Sequence, residues 1–347
     1  IFKHSENDFN DFERDRLLFN MLSYEGPRMA VGDISNDGLD DIFICGSRGS
    51  PGELYVQDRN GKFVREYSAA LDADKISEDT DCAFFDADND GDLDLYVASG
   101  GNQFPSSSSA LADRLYINDG KGNFSKSSQI LPVAAYISTS CVEPCDFDND
   151  GDIDLFVGAR LQPFAYGLPA DGYLLENDGK GHLKDVSGEK APALKGIGMI
   201  TDMIWADIDN DRDKDIVIAG DWMPVKILVN NGGRFTDESE KSGMKNTEGW
   251  WHTIEAEDLN GDGYVDFVLG NHGLNSFFKA SDDRPVVMYV NDFDLNGSVE
   301  QIICTYKGEK AYPLAGKDEL VSQIPSLEAK YPKFADYMDQ TVEDIFP

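Results

Sequence analysis

Apolar positions along this chain fall in short runs, each preceded by a burst of carboxylates and ending at a glycine or another small residue. The runs are IFICG (Ile42–Gly46), LYVAS (Leu95–Ser99), LFVGA (Leu155–Ala159), IVIAG (Ile216–Gly220) and FVLGN (Phe267–Asn271). Runs this short and this rich in β-branched residues predict buried strands. One pattern, Asp-x-(Asp/Ser/Asn)-x-Asp-Gly-x-x-Asp, leads into them. It reads DISNDGLDD (Asp33–Asp41), DADNDGDLD (Asp86–Asp94), DFDNDGDID (Asp146–Asp154), DIDNDRDKD (Asp207–Asp215) and DLNGDGYVD (Asp258–Asp266). A sixth, weaker copy is DFDLNGSVE (Asp292–Glu300).

A second element recurs downstream: a strand, a turn and an aromatic or apolar residue. Its copies are LYVQDRNGKF (Leu54–Phe63), LYINDGKGNF (Leu115–Phe124), YLLENDGKGHL (Tyr173–Leu183) and ILVNNGGRF (Ile227–Phe235). The Gly-containing turns are hairpin chemistry, since glycine takes positive φ without steric cost. Each unit therefore reads as strand, acidic loop, strand, variable connection, strand, hairpin, strand. Four antiparallel strands repeated radially make a β-propeller blade, so the predicted fold is an all-β propeller with five recognisable four-stranded blades.

VVMYVND (Val286–Asp292) aligns with LYIND, which places the sixth acidic loop at the hairpin between the third and fourth strands of the fifth blade. In antiparallel order, 1–2 and 3–4 loops leave a blade on one side, so all six acidic loops are expected on one face. The variable 2–3 connections, Gly100–Asp113, Gly158–Asp171 and Gly270–Asp283, are expected on the other. Residues 1–26 read as an N-terminal extension and 27–315 as the propeller. Residues 316–347 read as a helical segment, expected to continue beyond Pro347. Its apolar positions are Leu320, Ile324, Leu327, Phe334, Met338, Val342 and Ile345, and Pro325 and Pro332 break it into short helices.

The loops have the chemistry of calcium, a hard cation that takes six to eight oxygens in a flexible shell. Positions 1, 3, 5 and 9 offer side chains and position 7 a backbone carbonyl. The expected ligand sets are Asp33, Ser35, Asp37, Leu39 and Asp41; Asp86, Asp88, Asp90, Asp92 and Asp94; and Asp146, Asp148, Asp150, Asp152 and Asp154. They continue as Asp207, Asp209, Asp211, Asp213 and Asp215; Asp258, Asn260, Asp262, Tyr264 and Asp266; and Asp292, Asp294, Asn296, Ser298 and Glu300. Magnesium demands a stricter octahedron, and zinc would want Cys and His, which the loops lack. An EF-hand needs a bidentate Glu at position 12, but Ile44, Val97, Val157, Ile218, Leu269 and Ile303 stand there. Six aligned copies argue against plain acidic turns. Arg212 replaces the glycine of the fourth loop, so Asp207–Asp215 is expected to be the weakest or most distorted site.

The grouping changes how the charge reads. The 347 residues carry 65 acids against 30 basic residues, a formal charge of −35. Twenty-one carboxylates occupy side-chain ligand positions, and six Ca²⁺ would bring the charge to −23. The remainder still excludes a nucleic-acid binder, because phosphate would be repelled. No apolar run is long enough to cross a bilayer as a helix.

Chemistry beyond the loops is sparse. No nucleophile elbow, phosphate loop or HExxH occurs. His182 reads as a solvated turn residue; His252 and His272 flank the fifth loop. The connections and their neighbours carry Phe104, Arg160, Phe164, Tyr166, Trp222 and His272, candidates for contact with a protein or glycan. The five cysteines read as free, buried thiols. An alternative to a binding module is a carbohydrate-active lyase or hydrolase, with its site on the long-connection face or in a missing part of the chain.

Loop, following strand and hairpin recur together over Pro27–Glu309, and in this the chain resembles the FG-GAP / VCBS family of calcium-loop propellers. That family is found in integrin α-subunit heads and in many bacterial surface proteins. GDWMPV (Gly220–Val225), GWWHTIEAEDLNGDG (Gly249–Gly263) and PLAGKDELVSQIPSL (Pro313–Leu327) look like VCBS-repeat proteins of Bacteroidota. The resemblance implies a propeller of about seven blades; five fall short of that, so either the missing blades lie beyond Pro347, the favoured reading, or this propeller is unusual. It also implies a secreted or lipid-anchored protein at the cell surface, with an outer-membrane transport or assembly complex among its expected partners.

Overall fold

The computed structural model describes residues 2–133, 137–273, 276 and 278–346. Three sheets of four antiparallel strands follow in chain order. The first holds β1 (Met29–Gly32), β2 (Asp41–Ile44), β3 (Glu53–Gln57) and β4 (Phe63–Glu66); the second β5 (Asp79–Phe85), β6 (Asp94–Ser99), β7 (Arg114–Ile117) and β8 (Ser125–Lys126). The third holds β9 (Ser138–Cys145), β10 (Asp154–Leu161), β11 (Gly172–Asn177) and β12 (Leu183–Asp185). A fourth set, β13 (Met199–Ala206), β14 (Asp215–Met223), β15 (Lys226–Asn230) and β16 (Phe235–Asp237), repeats this order. The hairpin of β17 (Gly249–Glu257) and β18 (Asp266–Asn271) joins it where β17 pairs with the end of β14. Last come β19 (Val287–Asn291), β20 (Glu300–Lys307) and β21 (Lys310–Pro313) in a three-stranded sheet.

The sheets stack face to face like blades, and the first strands β1, β5, β9, β13 and β17 pack side by side. Alternation within each second strand explains the unbroken apolar runs of the sequence. In β10, Leu155, Val157 and Ala159 join Tyr96 and Ala98 of the second sheet, while Phe156 joins Ile216 and Ile218 of the fourth set. In β14, Ile216 and Ile218 face the third sheet, and Val217 and Ala219 face Ile254, Phe267 and Leu269 of the β17–β18 hairpin. A strand buried on both faces has no polar side to show, as in sheets covered from both sides. β2 is covered on one face only, its burial alternating residue by residue, and β18 is only half-buried. These are the two ends of the stack.

Two sequence expectations fail here. The sixth loop does not close a fifth blade: β19 pairs with β20, and β20 with β21, so the loop joins the first two strands of a separate sheet. Nor does it share a face with the others. Gln301, next to Glu300, donates from Nε2 to the Tyr166 carbonyl at 3.0 Å, and Gly167 lies against Val290. Tyr166 and Gly167 belong to the β10–β11 connection, at the edge opposite the Asp146–Asp154 loop. The reason is packing: β20 and β21 bury Ile302, Cys304 and Ala311 against Leu320, Ile324, Leu327, Val342 and Ile345 of the tail, with Leu17 from the N-terminal segment. The tail forms four short helices, Lys317–Gln323, Leu327–Lys330, Phe334–Tyr337 and Val342–Ile345. Pro325 and Pro332 lie between helices as expected, but Phe334 and Met338 are exposed instead of joining the apolar side.

The N-terminal segment runs across the connection face. The Asp11 carboxylate, fully buried, accepts from the amides of Leu22 and Ser23 (3.1 Å each), the Ser23 hydroxyl (3.0 Å) and Asn102 Nδ2 (3.3 Å). Leu18 and Leu22 pack with Leu161, Tyr166 and Met199.

Candidate metal centres

Each acidic loop is shaped by its own side chains before any ion is considered. The carboxylate at position 1 accepts from the amides of positions 5 and 6, as Asp33 does from Asp37 (3.1 Å) and Gly38 (2.8 Å). Asp146, Asp207, Asp258 and Asp292 make the same pair of bonds. The side chain at position 5 then accepts from the amide of position 7, for example Asp90 from Asp92 at 3.1 Å. These bonds curl the backbone twice through positive φ. At position 4, Asn36, Asn89, Asn149 and Asn210 lie at φ of 55–62°, a conformation in which Asn is better tolerated than most residues. At position 6 sit Gly38, Gly91, Gly151, Gly263 and Gly297 at φ of 86–98°, and Arg212 at 84°.

The fourth loop keeps the shape of the others. Arg212 takes the glycine conformation, and its amide bonds to Asp207 at 3.1 Å as the glycine amides do in the other loops. The substitution costs strain instead of shape.

Position 9 fastens the loop to its blade. One carboxylate oxygen accepts from the amide of position 2, at 2.9 Å for Asp94 and Ala87. The other accepts from the residue ending the third strand: Gln57, Asn118, Asn177 and Asn230 bond to Asp41, Asp94, Asp154 and Asp215 at 2.7–2.8 Å. The three asparagines also reach across to the preceding blade. Asn118 Nδ2 donates to the Ile34 carbonyl (2.8 Å), Asn177 Nδ2 to Ala87 (2.9 Å) and Asn230 Nδ2 to Phe147 (2.8 Å). Each of the first three loops is thus held by the next blade.

The carboxylates converge. Asp86, Asp88 and Asp90 each bring an oxygen within 4.8 Å of the others, as do Asp146, Asp148 and Asp154; Asp207, Asp209 and Asp215; and Asp292, Asp294 and Glu300. In the first and fifth loops Ser35 and Asn260 hold position 3, and no such trio of acids forms among the described residues. Several ligand-position oxygens are buried without a hydrogen-bond partner: Asp86 Oδ1, Asp88 Oδ1, Asp148 Oδ1, Glu300 Oε1 and Ser35 Oγ. Orphaned buried carboxylate oxygens cost free energy unless something cationic meets them. Burial, reinforced by neighbouring carboxylates, pushes Asp94 and Asp154 up to about 7. The residues present fit a hard divalent cation: oxygen donors only, four or more per loop, with free lone pairs on oxygens that already accept amides. Asp152 and Asp213, expected to offer only their carbonyls, accept from Asn89 and Asn149 of the preceding loops with their side chains.

The family described as FG-GAP-like repeat matches residues 33–97, 86–157 and 207–269, more than half of the chain. The chain belongs to the FG-GAP repeat family. FG-GAP repeats commonly bind calcium and are typical of extracellular or surface proteins, in keeping with the loops above. No curated protein matches the chain. Among solved structures it is similar to the V. cholerae biofilm matrix protein Bap1, at 14% identity and a TM-score of 0.37, covering 84% of this chain and 38% of that one. It is also similar to BBS1N in complex with ARL6DN (12% identity, TM-score 0.42, covering 84% and 80%). A third is a putative exo-beta-1,3-galactanase from Bifidobacterium bifidum s17 (11% identity, TM-score 0.35, covering 83% and 91%). Among the described residues no helix is long and apolar enough to cross a membrane.

The residues expected to meet a partner are mostly occupied by the chain itself. Phe104 is buried with Ala110 and Leu111. Arg160 is buried, donating to Asp221 Oδ2 from Nε (2.9 Å) and Nη2 (2.7 Å) and to Glu25. Phe164 lies 3.9 Å beneath the Arg14 guanidinium. Tyr166 is buried, donating to Asp221 (3.1 Å) and accepting from the Trp222 (3.1 Å) and Trp250 (3.2 Å) indoles. His272 packs edge-on against Trp250 and Phe19. The N-terminal segment covers what the sequence placed on an open face; part of the Gly270–Asp283 connection (274, 275 and 277) lies outside the described residues.

One repeated device escaped the sequence reading. Six residues before the first loop Asp stand Thr80, Ser140 and Thr201. Their hydroxyls donate to the next blade's first strand, at Thr139 O (2.8 Å), Ile200 O (2.7 Å) and Trp251 O (2.7 Å). The signal was present as a hydroxyl in constant register with the loops.

Proposed function

We propose that this chain is a calcium-stabilised repeat scaffold that binds a protein or glycan outside the cell. The observation that carries the reading is the convergence of carboxylates with orphaned, buried oxygens in repeated loops of one shape. Calcium would satisfy those oxygens and relieve the repulsion between them, and the stack would then offer a rigid surface built from the connections and blade edges. Calcium sites of extracellular modules bind at about 10⁻⁴–10⁻³ M, and FG-GAP repeats are typical of extracellular or surface proteins, which supports a place outside the cell.

Equilibrium dialysis tests the metal, and a sensor carrying purified surface polysaccharides and envelope proteins tests the binding. The account expects several calcium equivalents per chain and capture of a surface component that is lost in EDTA. A chain that takes up no calcium at millimolar concentration would overturn it.

A further inference from the structure

A cavity of about 250 Å³ opens where the first strands of the blades meet, roofed by the N-terminal segment. On its wall the Thr80, Ser140 and Thr201 hydroxyls already donate to carbonyls of the next strand. The unspent chemistry comes from three other lining residues: Arg28, His252 and Asn20.

Arg28 is exposed, and its guanidinium has no hydrogen-bonded partner among the described residues; it acts on Glu25, Asp81 and Glu143 through its charge alone. The acids that share its surroundings are held elsewhere. Glu25 pairs with Arg160, Asp81 accepts from the Val142 amide at 2.9 Å, and Asp202 accepts from the Ile254 amide at 3.0 Å. Glu143, buried among these acids, is pushed up to about 8 and carries a proton at neutral pH. His252 is exposed at the cavity, where partial desolvation, with Arg160 and His272 nearby, holds it below its ordinary value; the neutral ring offers one donor and one acceptor. Asn20 Oδ1 is buried with no donor facing it, while its Nδ2 reaches only the Met21 carbonyl at 3.4 Å.

The cavity thus presents an unpaired guanidinium, an orphaned acceptor and an imidazole. A guanidinium fork matches a carboxylate, and an orphaned amide oxygen asks for a hydroxyl. The volume equals about eight water molecules at ~30 Å³ each, enough for one sugar ring. We propose that this axial cavity binds a single polyhydroxylated carboxylate, the chemistry of a uronic-acid residue. Its carboxylate would lie on Arg28 and its hydroxyls on Asn20 and His252. The assignment rests on the reading of the chain as a glycan-binding scaffold and names the ligand class.

Calorimetric titration of the calcium-loaded full chain with sodium glucuronate and sodium galacturonate tests it, with glucose, galactose and acetate as comparators. A uronate should saturate below about 10 mM. It should bind at least about tenfold more tightly than the neutral sugar, and Arg28→Ala should weaken it by at least about tenfold. Arg28 makes no side-chain hydrogen bond, but its charge favours the ionised forms of Glu25, Asp81 and Glu143, so the variant's melting midpoint is measured beside its affinity. Should it fail to fold, Asn20→Ala is the second variant, with an expected loss of at least about threefold. No saturation, equal binding of neutral sugars, or unchanged affinity in the variants would overturn the proposal. If calcium stabilises the chain and no uronate binds, the cavity assignment falls while the scaffold reading stands.

Discussion

Asn118 shows how much of the fold depends on bonds between repeats. It is 5% exposed and uses its whole side chain. Nδ2 donates to the Ile34 carbonyl of the first loop (2.8 Å) and to the Leu93 carbonyl of its own loop (3.1 Å). Oδ1 accepts from the amides of Asp119 (2.9 Å) and Gly122 (3.0 Å) in the hairpin. Asn118→Ala removes all four. Each bond contributes about 1 kcal/mol net, and the fully buried Ile34 would be left with an unsatisfied carbonyl, so the expected loss is about 2–4 kcal/mol. Asn118→Asp keeps the acceptor for the hairpin and loses both donors, the one between blades and the one to Leu93, while setting a carboxylate against two carbonyls; it should cost at least about 1–3 kcal/mol. Gln57 is the counterpart in the first blade, bonded only through its backbone amide, and Gln57→Ala should cost less than about 0.5 kcal/mol. Urea unfolding in calcium, followed by tryptophan fluorescence, reads all three. If Asn118→Ala costs no more than Gln57→Ala, the blades are not held together in this way.

Two further outcomes follow from strain and burial. Arg212→Gly should relieve a left-handed residue costing about 1–2 kcal/mol, offset by glycine's own ~0.5–1 kcal/mol of chain entropy. The expected net is a gain of up to about 1 kcal/mol in urea unfolding, together with tighter calcium binding in dialysis. Glu78 is buried, and desolvation pushes its carboxyl up to about 8. The folded chain therefore holds a proton that the unfolded chain releases near ~4.3. Its contribution is full below that value and is lost as pH rises to 8, with a slope of up to about 1.4 kcal/mol per pH unit. Glu78→Gln should flatten the fall in urea midpoint between pH 5 and pH 8 (about the window of the shift); an unchanged slope would contradict the assignment.

The acidic loops were legible because their chemistry is contiguous. Nine successive residues set the hydrogen bonds, both positive-φ turns and the ligand positions, with no need for distant partners. The strands after them were legible because β6, β10 and β14 are buried on both faces and so carry unbroken apolar runs, Leu95–Ala98, Leu155–Ala159 and Ile216–Gly220. What failed depends on contacts between distant segments. Tyr166 and Arg160 look like surface chemistry in a loop until Leu18, Leu22 and Glu25 arrive from the N-terminal segment. The sixth loop matched a hairpin by spacing alone, but the spacing says nothing of whether β18 pairs with β19. Its sheet is fixed instead by the apolar side of the tail. The hydroxyls of Thr80, Ser140 and Thr201 were readable in register but are too common a residue type to stand out.

Thermal denaturation of the full chain in millimolar calcium, in equimolar magnesium and in EDTA tests the central claim most directly. A site held at ~100 times its dissociation constant adds ~2.7 kcal/mol, so calcium should raise the midpoint by many degrees over EDTA. Magnesium, which keeps its waters and demands a tighter octahedron, should do little. A midpoint that is the same in calcium and in EDTA would contradict the account.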